Sequence, residues 1–157
     1  MAKAKHYVAE GSRTLTPHLT VKGAAQAIEF YQKAFGATVR GVMADPGGTV
    51  MHAELQIGDS VFYLNDEFPA MGAKGPKSIG GTPVSMHLYV ADCDALFQQA
   101  VAAGATAKRP LADQFWGDRY GLVEDPYGHI WAIATHVEDL THAEIMERAK
   151  KAMAPTG

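Results

Sequence analysis

Two stretches of this chain repeat the same pattern, and this repeat constrains the fold more than any other feature of the sequence. The hexamer Thr16–Val21 lines up with the hexamer Ser85–Val90, so that His87 follows His18 by 69 residues. Both hexamers have the alternation typical of a β-strand. A repeat that keeps its register over such a distance predicts two copies of one structural unit.

The segments that follow each hexamer also correspond. An alanine-rich stretch with helical periodicity comes first and ends at Gly36 in one half and at Gly104 in the other, as suits a residue just past a helix. Three strand-like segments come next: Thr38–Ala44, Thr49–Ile57 and Ser60–Asn65, and in the second half Ala107–Ala112, Arg119–Glu124 and His129–Thr135. The unit is therefore βαβββ, used twice. We expect an α+β fold in which two tandem modules form a curved mixed sheet around a cavity.

The domain limits follow from this pattern. We expect an N-terminal tail over 1–13, modules over 14–66 and 84–136, a linker rich in Gly, Pro and Lys over 67–83, and a C-terminal helix and tail over 137–157. The linker has the composition of a mobile loop. Thr141 is the expected N-cap of the last helix, with Glu144 completing a capping box.

Composition narrows the classes of partner. The net charge is −3 and the sequence pI is near 6.1, which predicts no surface for nucleic acid. No apolar run approaches the roughly 20 residues that span a bilayer, so we expect no membrane segment. The single cysteine, Cys93, has no partner for an internal disulfide, and the first residues lack the pattern of a signal peptide. A cytoplasmic location is the expectation.

Three motifs resemble those of one superfamily. Ala27–Tyr31 with Ala34–Ala37 resembles the first helix of the glyoxalase, bleomycin-resistance and dioxygenase proteins, the vicinal oxygen chelate (VOC) superfamily. Asp125–His129 resembles the Asp-Pro-x-Gly turn before their last strand. Phe115–Gly121, with Trp131 following, is similar to the PhnB-like branch. The resemblance covers about Thr14 to His136 and implies the βαβββ fold, which hosts many chemistries.

Metal-dependent members of that superfamily hold a divalent ion with side chains from the first and last strands of both modules. Carried over to this chain, three of those positions fall on Thr16, Ser85 and Ala132, and the other lies near Tyr63 to Asn65. None of these supplies a histidine or a glutamate. We therefore expect no cofactor and no metal site of the usual kind, while a divalent metal in a shifted site stays possible.

His18 and His87 each lie two residues beyond a vacated position and share its face of the strand. Three interpretations stay open. They line the cavity as hydrogen-bonding groups for an acidic or carbonyl ligand, they are core histidines without a direct role, or they anchor a shifted metal site. Glu54 is the first candidate to complete such a site.

His52 and Glu54 share one face of a predicted strand. The pair suits a general base with its orienting partner, and these are the candidate catalytic residues, although a solvated polar strand face is the simpler interpretation. Ligand-binding candidates are Trp116, Arg119 and Tyr120, because aromatic rings with one arginine suit a flat or anionic ligand. The simpler alternative there is a packed loop with a surface Arg–Asp pair.

The remaining histidines and the second tryptophan are assigned no ligand. His129 and Trp131 have the opposite parity from Ala132, so they are expected to face the helices. His6, His136 and His142 lie in terminal segments, and we expect nothing specific of them.

Two functional classes remain. The first is a VOC-fold small-molecule binding protein without the usual metal site. The second is an enzyme: a metal-dependent lyase, isomerase or dioxygenase with a shifted His-based site, or an acid/base catalyst that uses His18, His87, His52 and Glu54. In either class we expect a homodimer, since open sheet edges leave surface that a second subunit covers.

Overall fold

The computed structural model describes residues 3–153, and the chain divides into two compact units between Thr82 and Pro83. Unit 1 is the part up to Thr82, and unit 2 begins at Pro83. Each unit contains one four-stranded mixed sheet and one long helix in the order βαβββ. The prediction of an α+β fold with two tandem βαβββ modules is confirmed.

Unit 1 begins with the strand of the first repeat. Its elements are β1 (His18–Val21), α1 (Ala24–Phe35), β2 (Thr38–Ala44), β3 (Val50–Ile57) and β4 (Ser60–Asp66). The strands lie in the order β1-β4-β3-β2, with β1 parallel to β4 and the other pairs antiparallel. The register that the sequence left undetermined is now fixed, because His18 pairs with Tyr63.

Along the chain between β4 and the second module, the segment predicted to be a loop contains a single 3₁₀ turn, Pro69–Met71, and a short helix, α2 (Pro76–Ile79). Unit 2 then contains β5 (Ser85–Tyr89), α3 (Cys93–Ala103), β6 (Thr106–Asp113), β7 (Asp118–Glu124) and β8 (Ile130–His136). Its strand order β5-β8-β7-β6 repeats that of unit 1, and His87 pairs with Ala132. The repeat in the sequence is therefore a repeat of topology and of register.

Each helix covers one face of its own sheet. In unit 1 the ring of Tyr31 on α1 meets that of Phe62 on β4 edge to face, with ring centroids 5.7 Å apart. In unit 2 a Cβ atom on Gly121 of β7 would meet the ring of Phe97 on α3. Buried aliphatic residues such as Leu64 fill the layer between helix and sheet and supply the hydrophobic stabilisation.

The last strand of each unit holds the start of its helix. Both Gly23 and Ala24 donate their backbone N–H groups to Asp66 Oδ1, at 2.9 and 2.8 Å. In unit 2 the backbone N–H of Cys93 donates to Thr135 Oγ1 at 3.0 Å. These bonds satisfy N–H groups that have no partner within the helix.

The C-terminal helix is α4 (His142–Ala152). Thr141 caps it, and the reciprocal bonds of a capping box with Glu144 are present, as predicted. No helix within residues 3–153 has both the length and the apolar character needed to cross a membrane.

Candidate functional site

The face of each sheet that α1 or α3 does not cover carries the candidate site residues. We call it the helix-free face. Side chains alternate along a strand, so the paired residues His18, Tyr63 and Glu54 share this face in unit 1. In unit 2 the paired residues His87, Ala132 and Leu122 share it. Each unit thus places its repeat histidine on its own helix-free face.

Three rings cluster on the helix-free face of unit 1. The ring centroid of His52 lies 4.8 Å from that of Tyr63 and 5.9 Å from that of His18, and those of His18 and Tyr63 lie 5.6 Å apart. The Nε2 atom of His52 is 3.7 Å from Glu54 Oε1, and Arg40 Nε is 3.8 Å from Glu54 Oε2. The predicted pair of His52 and Glu54 is therefore part of a larger polar group that includes His18.

The segment before β1 lies against this polar group. The hydroxyls of Ser12 and Tyr63 are 2.6 Å apart. Arg40 Nη2 donates to the carbonyl oxygen of Glu10 at 3.2 Å, and the guanidinium packs so closely on Gly11 that a Cβ atom there would overlap it. The positive φ of Gly11, 81°, also favours glycine at this position. The segment is thus attached to the sheet at two points.

The helix-free face of unit 2 has a different character, because its side chains form a row of aromatic rings. Centroid separations are 5.8 Å from Trp116 to Tyr120, 5.7 Å from Tyr120 to His87 and 4.6 Å from His87 to Tyr89. Three of the predicted ligand-binding residues, His87, Trp116 and Tyr120, are brought together here. Their role in binding stays a prediction.

A buried carboxylate holds both ends of this row. Asp118 Oδ2 accepts hydrogen bonds from the hydroxyl of Tyr89 at 2.8 Å and from the indole N–H of Trp116 at 3.1 Å. Asp118 Oδ1 lies 2.7 Å from Nδ1 of His136, whose Nε2 lies 3.1 Å from Asp139 Oδ1. The side chain of Asp118 is only 4% exposed. Asp118 therefore fixes the positions of the two rings at the ends of the row, those of Tyr89 and Trp116.

These contacts shift two pKa values. Burial acts to raise the pKa of Asp118, but hydrogen bonds from His136, Tyr89 and Trp116 outweigh it, so that the pKa lies below its ordinary value. The hydrogen bond to Asp118, followed by that to Asp139, raises the pKa of His136. The two shifts together favour an ionised pair.

Two expectations about residues near the row need correction. Arg119 and Tyr120 lie within strand β7, in agreement with the predicted strand Arg119–Glu124, and not in the packed loop of the alternative, because the strand begins at Asp118. Alternation then places Arg119 on the face that α3 covers. There its Nε and Nη2 atoms donate to Asp94 at 2.7 Å each and its Nη1 to Asp113 at 3.1 Å. The structure thus separates Arg119 from the aromatic row.

The second correction concerns His136, of which nothing specific was expected. It is the last residue of β8, and it joins the network of Asp118. The only sequence signal was its position, at the end of a strand and on the parity of Ala132. Trp131 agrees with its predicted orientation, since it is buried and donates its indole N–H to Asp125 Oδ2 at 2.8 Å.

The usual metal positions do not fit a divalent ion. The register pairs Tyr63 with His18 as Ala132 pairs with His87, so Tyr63 is the remaining position. Its hydroxyl contacts Ser12, the hydroxyl of Thr16 donates to the carbonyl oxygen of Arg13 at 2.9 Å, and alanine has no donor atom. These positions, with Ser85, supply no imidazole, carboxylate or thiolate.

No group of three or more His, Cys, Asp or Glu side chains is placed to hold a metal ion within residues 3–153. A shifted site that uses His18, His87 and Glu54 stays a prediction, which metal analysis tests.

Similar proteins support the fold. Residues 5–133 match the model of a family described as the Glyoxalase/Bleomycin resistance protein/Dioxygenase superfamily. An uncharacterized protein of Mycobacterium bovis, Mb0911c, is 50% identical over 134 residues, covering 83% of this chain and 88% of the relative. The structure of a gene product from Arabidopsis thaliana is 28% identical, with a TM-score of 0.64, covering 78% of this chain and 98% of that one. A PhnB protein from Bacillus cereus is 19% identical, with a TM-score of 0.60, and covers 78% and 99%. At that identity the last match shows the fold alone.

Proposed function

Because the chain belongs to the glyoxalase/bleomycin resistance/dioxygenase (VOC) superfamily, we propose that it is a small-molecule binding protein that holds an aromatic ligand on the helix-free face of unit 2. The observation that carries the proposal is the row Trp116–Tyr120–His87–Tyr89. Binding relies on stacking and hydrogen bonds, and no metal of the usual kind takes part.

The chemistry of the row favours a flat ring as the ligand. Aromatic rings bind other rings in stacked or edge-to-face arrangements, each pair contributing about 0.5–1.5 kcal/mol beyond the area that it buries. The imidazole of His87 adds a polar group at the centre of the row. Asp118 holds Tyr89 and Trp116 in place before a ligand arrives, which reduces the loss of side-chain entropy on binding.

The test is calorimetric titration with a fused-ring aromatic probe, quinoline, on the wild type and on Trp116→Leu and Tyr120→Leu. We expect saturable binding to the wild type, weakened about tenfold in each variant, which corresponds to about 1.4 kcal/mol. Tyr7→Leu, a change of the same kind at a residue of unit 1 that is 96% exposed, is the matched control. Equal affinity in all four proteins contradicts the proposal.

An enzyme is the second candidate, and the contact between His52 and Glu54 favours it. A carboxylate beside an imidazole orients a general base, and the rings of His18 and Tyr63 are adjacent. A metal-dependent lyase, isomerase or dioxygenase requires instead the shifted site. Metal analysis of tag-free protein purified without chelator distinguishes the two, since one equivalent of tightly bound divalent ion favours the metal-dependent class.

We also propose a homodimer in a cytoplasmic setting. Every residue of the edge strand β2 is exposed, including Val39, Val42 and Met43, and an uncovered edge of this kind suits pairing with a second subunit. Light scattering at micromolar concentration tests the dimer, and a monomeric mass contradicts it.

A further inference from the structure

Unit 1 has an open pocket that belongs to neither candidate function. It has a volume of about 380 Å³ and is lined by residues of the segment before β1, between positions 7 and 16, and by Tyr63 of β4. The side chains that line it include a guanidinium and several hydroxyls: Ser12, Arg13, Thr14, Thr16 and Tyr63. Ligand pockets in proteins range from about 300 to 1,000 Å³, so this one suits a small molecule.

The walls of the pocket are held in place by specific bonds. The hydroxyls of Ser12 and Tyr63 are 2.6 Å apart, which joins the segment to the sheet. The hydroxyl of Thr16 donates to the carbonyl oxygen of Arg13 at 2.9 Å and accepts from its backbone N–H at 3.2 Å, closing a turn. The backbone of Arg13 is thereby fixed while its side chain extends from an exposed position. The pocket therefore has a rim held by hydrogen bonds and one exposed charged side chain.

The charge of the pocket is positive. No carboxylate is among its lining residues. Arg13 forms no ion pair with the acidic side chains of residues 3–153, and the hydrogen bond found for its guanidinium is a long one, 3.4 Å from Nη1 to the carbonyl oxygen of Ser12. Arg40 differs, because it lies beside Glu54 and Gln56. An arginine whose guanidinium faces solvent and pairs with no carboxylate, beside several hydroxyls, is a binding arrangement for an oxyanion.

We propose that this pocket binds a small organic anion, with a carboxylate or phosphate head held by the guanidinium of Arg13 and by the hydroxyls of Ser12 and Tyr63. The guanidinium supplies the charge and two parallel donors. Of the Ser12 and Tyr63 hydroxyls, which bond to each other, the one that accepts within the pair keeps its O–H to donate to a remaining oxygen. Tyr63 also contacts the rings of His18 and His52, so a bound anion lies next to the polar group of unit 1. This site lies in unit 1 and shares no residue with the aromatic row of unit 2.

The experiment is calorimetric titration of the full chain with acetate, succinate, benzoate and inorganic phosphate, each at about physiological ionic strength to suppress nonspecific attraction. Saturable binding of at least one probe is expected. The carboxylate probes and phosphate distinguish the two possible head groups. Arg13→Gln is expected to weaken that binding about tenfold, and Ser12→Ala and Tyr63→Phe severalfold.

Arg109→Gln is the matched control, since it removes the same charge from an exposed position in unit 2. It is expected to leave the affinity unchanged. Thermal unfolding of each variant verifies that it folds, and Arg13→Lys, which keeps the charge but loses the paired donors, is expected to bind with intermediate affinity. The absence of saturable binding in the wild type, or equal weakening by Arg13→Gln and Arg109→Gln, overturns the proposal.

Discussion

The helix-free faces of the two sheets carry different chemistry on the same topology. The strand pairing shows which positions of the two units are equivalent. With the residue of unit 1 first, the pairs are His18 and His87, Thr20 and Tyr89, His52 and Tyr120, Glu54 and Leu122, and Tyr63 and Ala132. Only the histidine is the same in both. Unit 1 has a polar group with an acid and an imidazole, whereas unit 2 has an aromatic row. The difference shows that the repeat preserves the scaffold and that each face has its own chemistry.

The supports of the scaffold also differ in strength. Asp66 accepts two N–H groups from the start of α1 and, through Oδ2, that of Val50 at 2.8 Å. In unit 2, Thr135 accepts one helix N–H, that of Cys93, and donates its hydroxyl to the carbonyl oxygen of Val90 at 2.9 Å. The same joint between last strand and helix is therefore made by a charged group in one unit and by a neutral group in the other.

The largest difference is expected between two equivalent glycines. Gly117 and Gly48 both have positive φ, 96° and 88°, just before β7 and β3. A Cβ atom on Gly117 would overlap the carbonyl oxygen of Glu138, whereas Gly48 has open space. We expect Gly117→Ala to lower the free energy of unfolding by about 3 kcal/mol and Gly48→Ala by about 1 kcal/mol, measured in urea. Equal losses would contradict the close packing of the loop that holds Trp116.

The strand-to-helix joints give the next effect. Asp66→Ala removes three hydrogen bonds to backbone N–H groups, so the free energy of unfolding is expected to fall by about 2 kcal/mol. Thr135→Val keeps the side-chain volume and removes one N–H acceptor and one donor, for an expected loss of about 1 kcal/mol. Urea titration measures both. If the threonine variant loses more, the joint of unit 2 is not the weaker one.

A smaller effect is expected from pH, because His136 is about half exposed. The pKa of His136 is raised in the folded protein, so its pair with Asp118 contributes fully to the free energy of unfolding below the ordinary histidine pKa of 6.5. That contribution is lost as pH rises through the pKa of the folded protein. The pKa of Asp118 is lowered in the folded protein, so this carboxylate contributes fully to the free energy of unfolding above its ordinary pKa of 3.8. Its contribution is lost only as pH falls through the pKa of the folded protein. The wild type is therefore expected to exceed His136→Gln in stability most at about pH 5–6, with the difference shrinking above pH 7.

Urea midpoints across this pH range provide the measurement for His136→Gln. His52→Gln is the control from unit 1. It is expected to change the profile less, because the His52–Glu54 contact is 3.7 Å, against 2.7 Å for the His136–Asp118 contact. If the stability difference between the wild type and His136→Gln grows as pH rises, the expected role of the His136–Asp118 pair is contradicted.

The smallest effect is expected at Arg119. Its ion pairs with Asp94 and Asp113 are partly exposed, so Arg119→Gln is expected to lower the free energy of unfolding by less than about 1 kcal/mol. Quinoline affinity is expected to stay within about twofold of the wild type, since the guanidinium lies on the face that α3 covers. A loss of probe binding in this variant would support the alternative, a ligand-binding role for Arg119.

The fold could be predicted from the sequence because the repeat shows the same βαβββ pattern twice. Strand β2 was predicted to the residue, Thr38–Ala44, and the others to within one or two residues. The C-terminal helix begins directly after Thr141, its predicted cap. The helical turns of the linker were missed because Gly and Pro, which suggest a loop, also start and end short helices.

The candidate site could be predicted from the sequence only in part. Alternation along a strand placed His18, His87 and His52 on the helix-free faces without further information. Alternation along β7 also places Arg119 and Tyr120 on opposite faces of the sheet, so the two side chains could not both belong to one row. The network of Asp118 and the pocket at Arg13 depend on tertiary contacts between segments distant in sequence, which no local pattern encodes.

The helix-free face of unit 2, and not that of unit 1, is the one that we propose receives the aromatic ligand. Two-dimensional NMR of the wild type titrated with quinoline tests it most directly, because the side-chain resonances of the two faces are observed in one experiment. We expect saturable shifts concentrated on His87, Tyr89, Trp116 and Tyr120. Shifts concentrated instead on His18, His52 and Tyr63, or no saturable shift on either face, would contradict it.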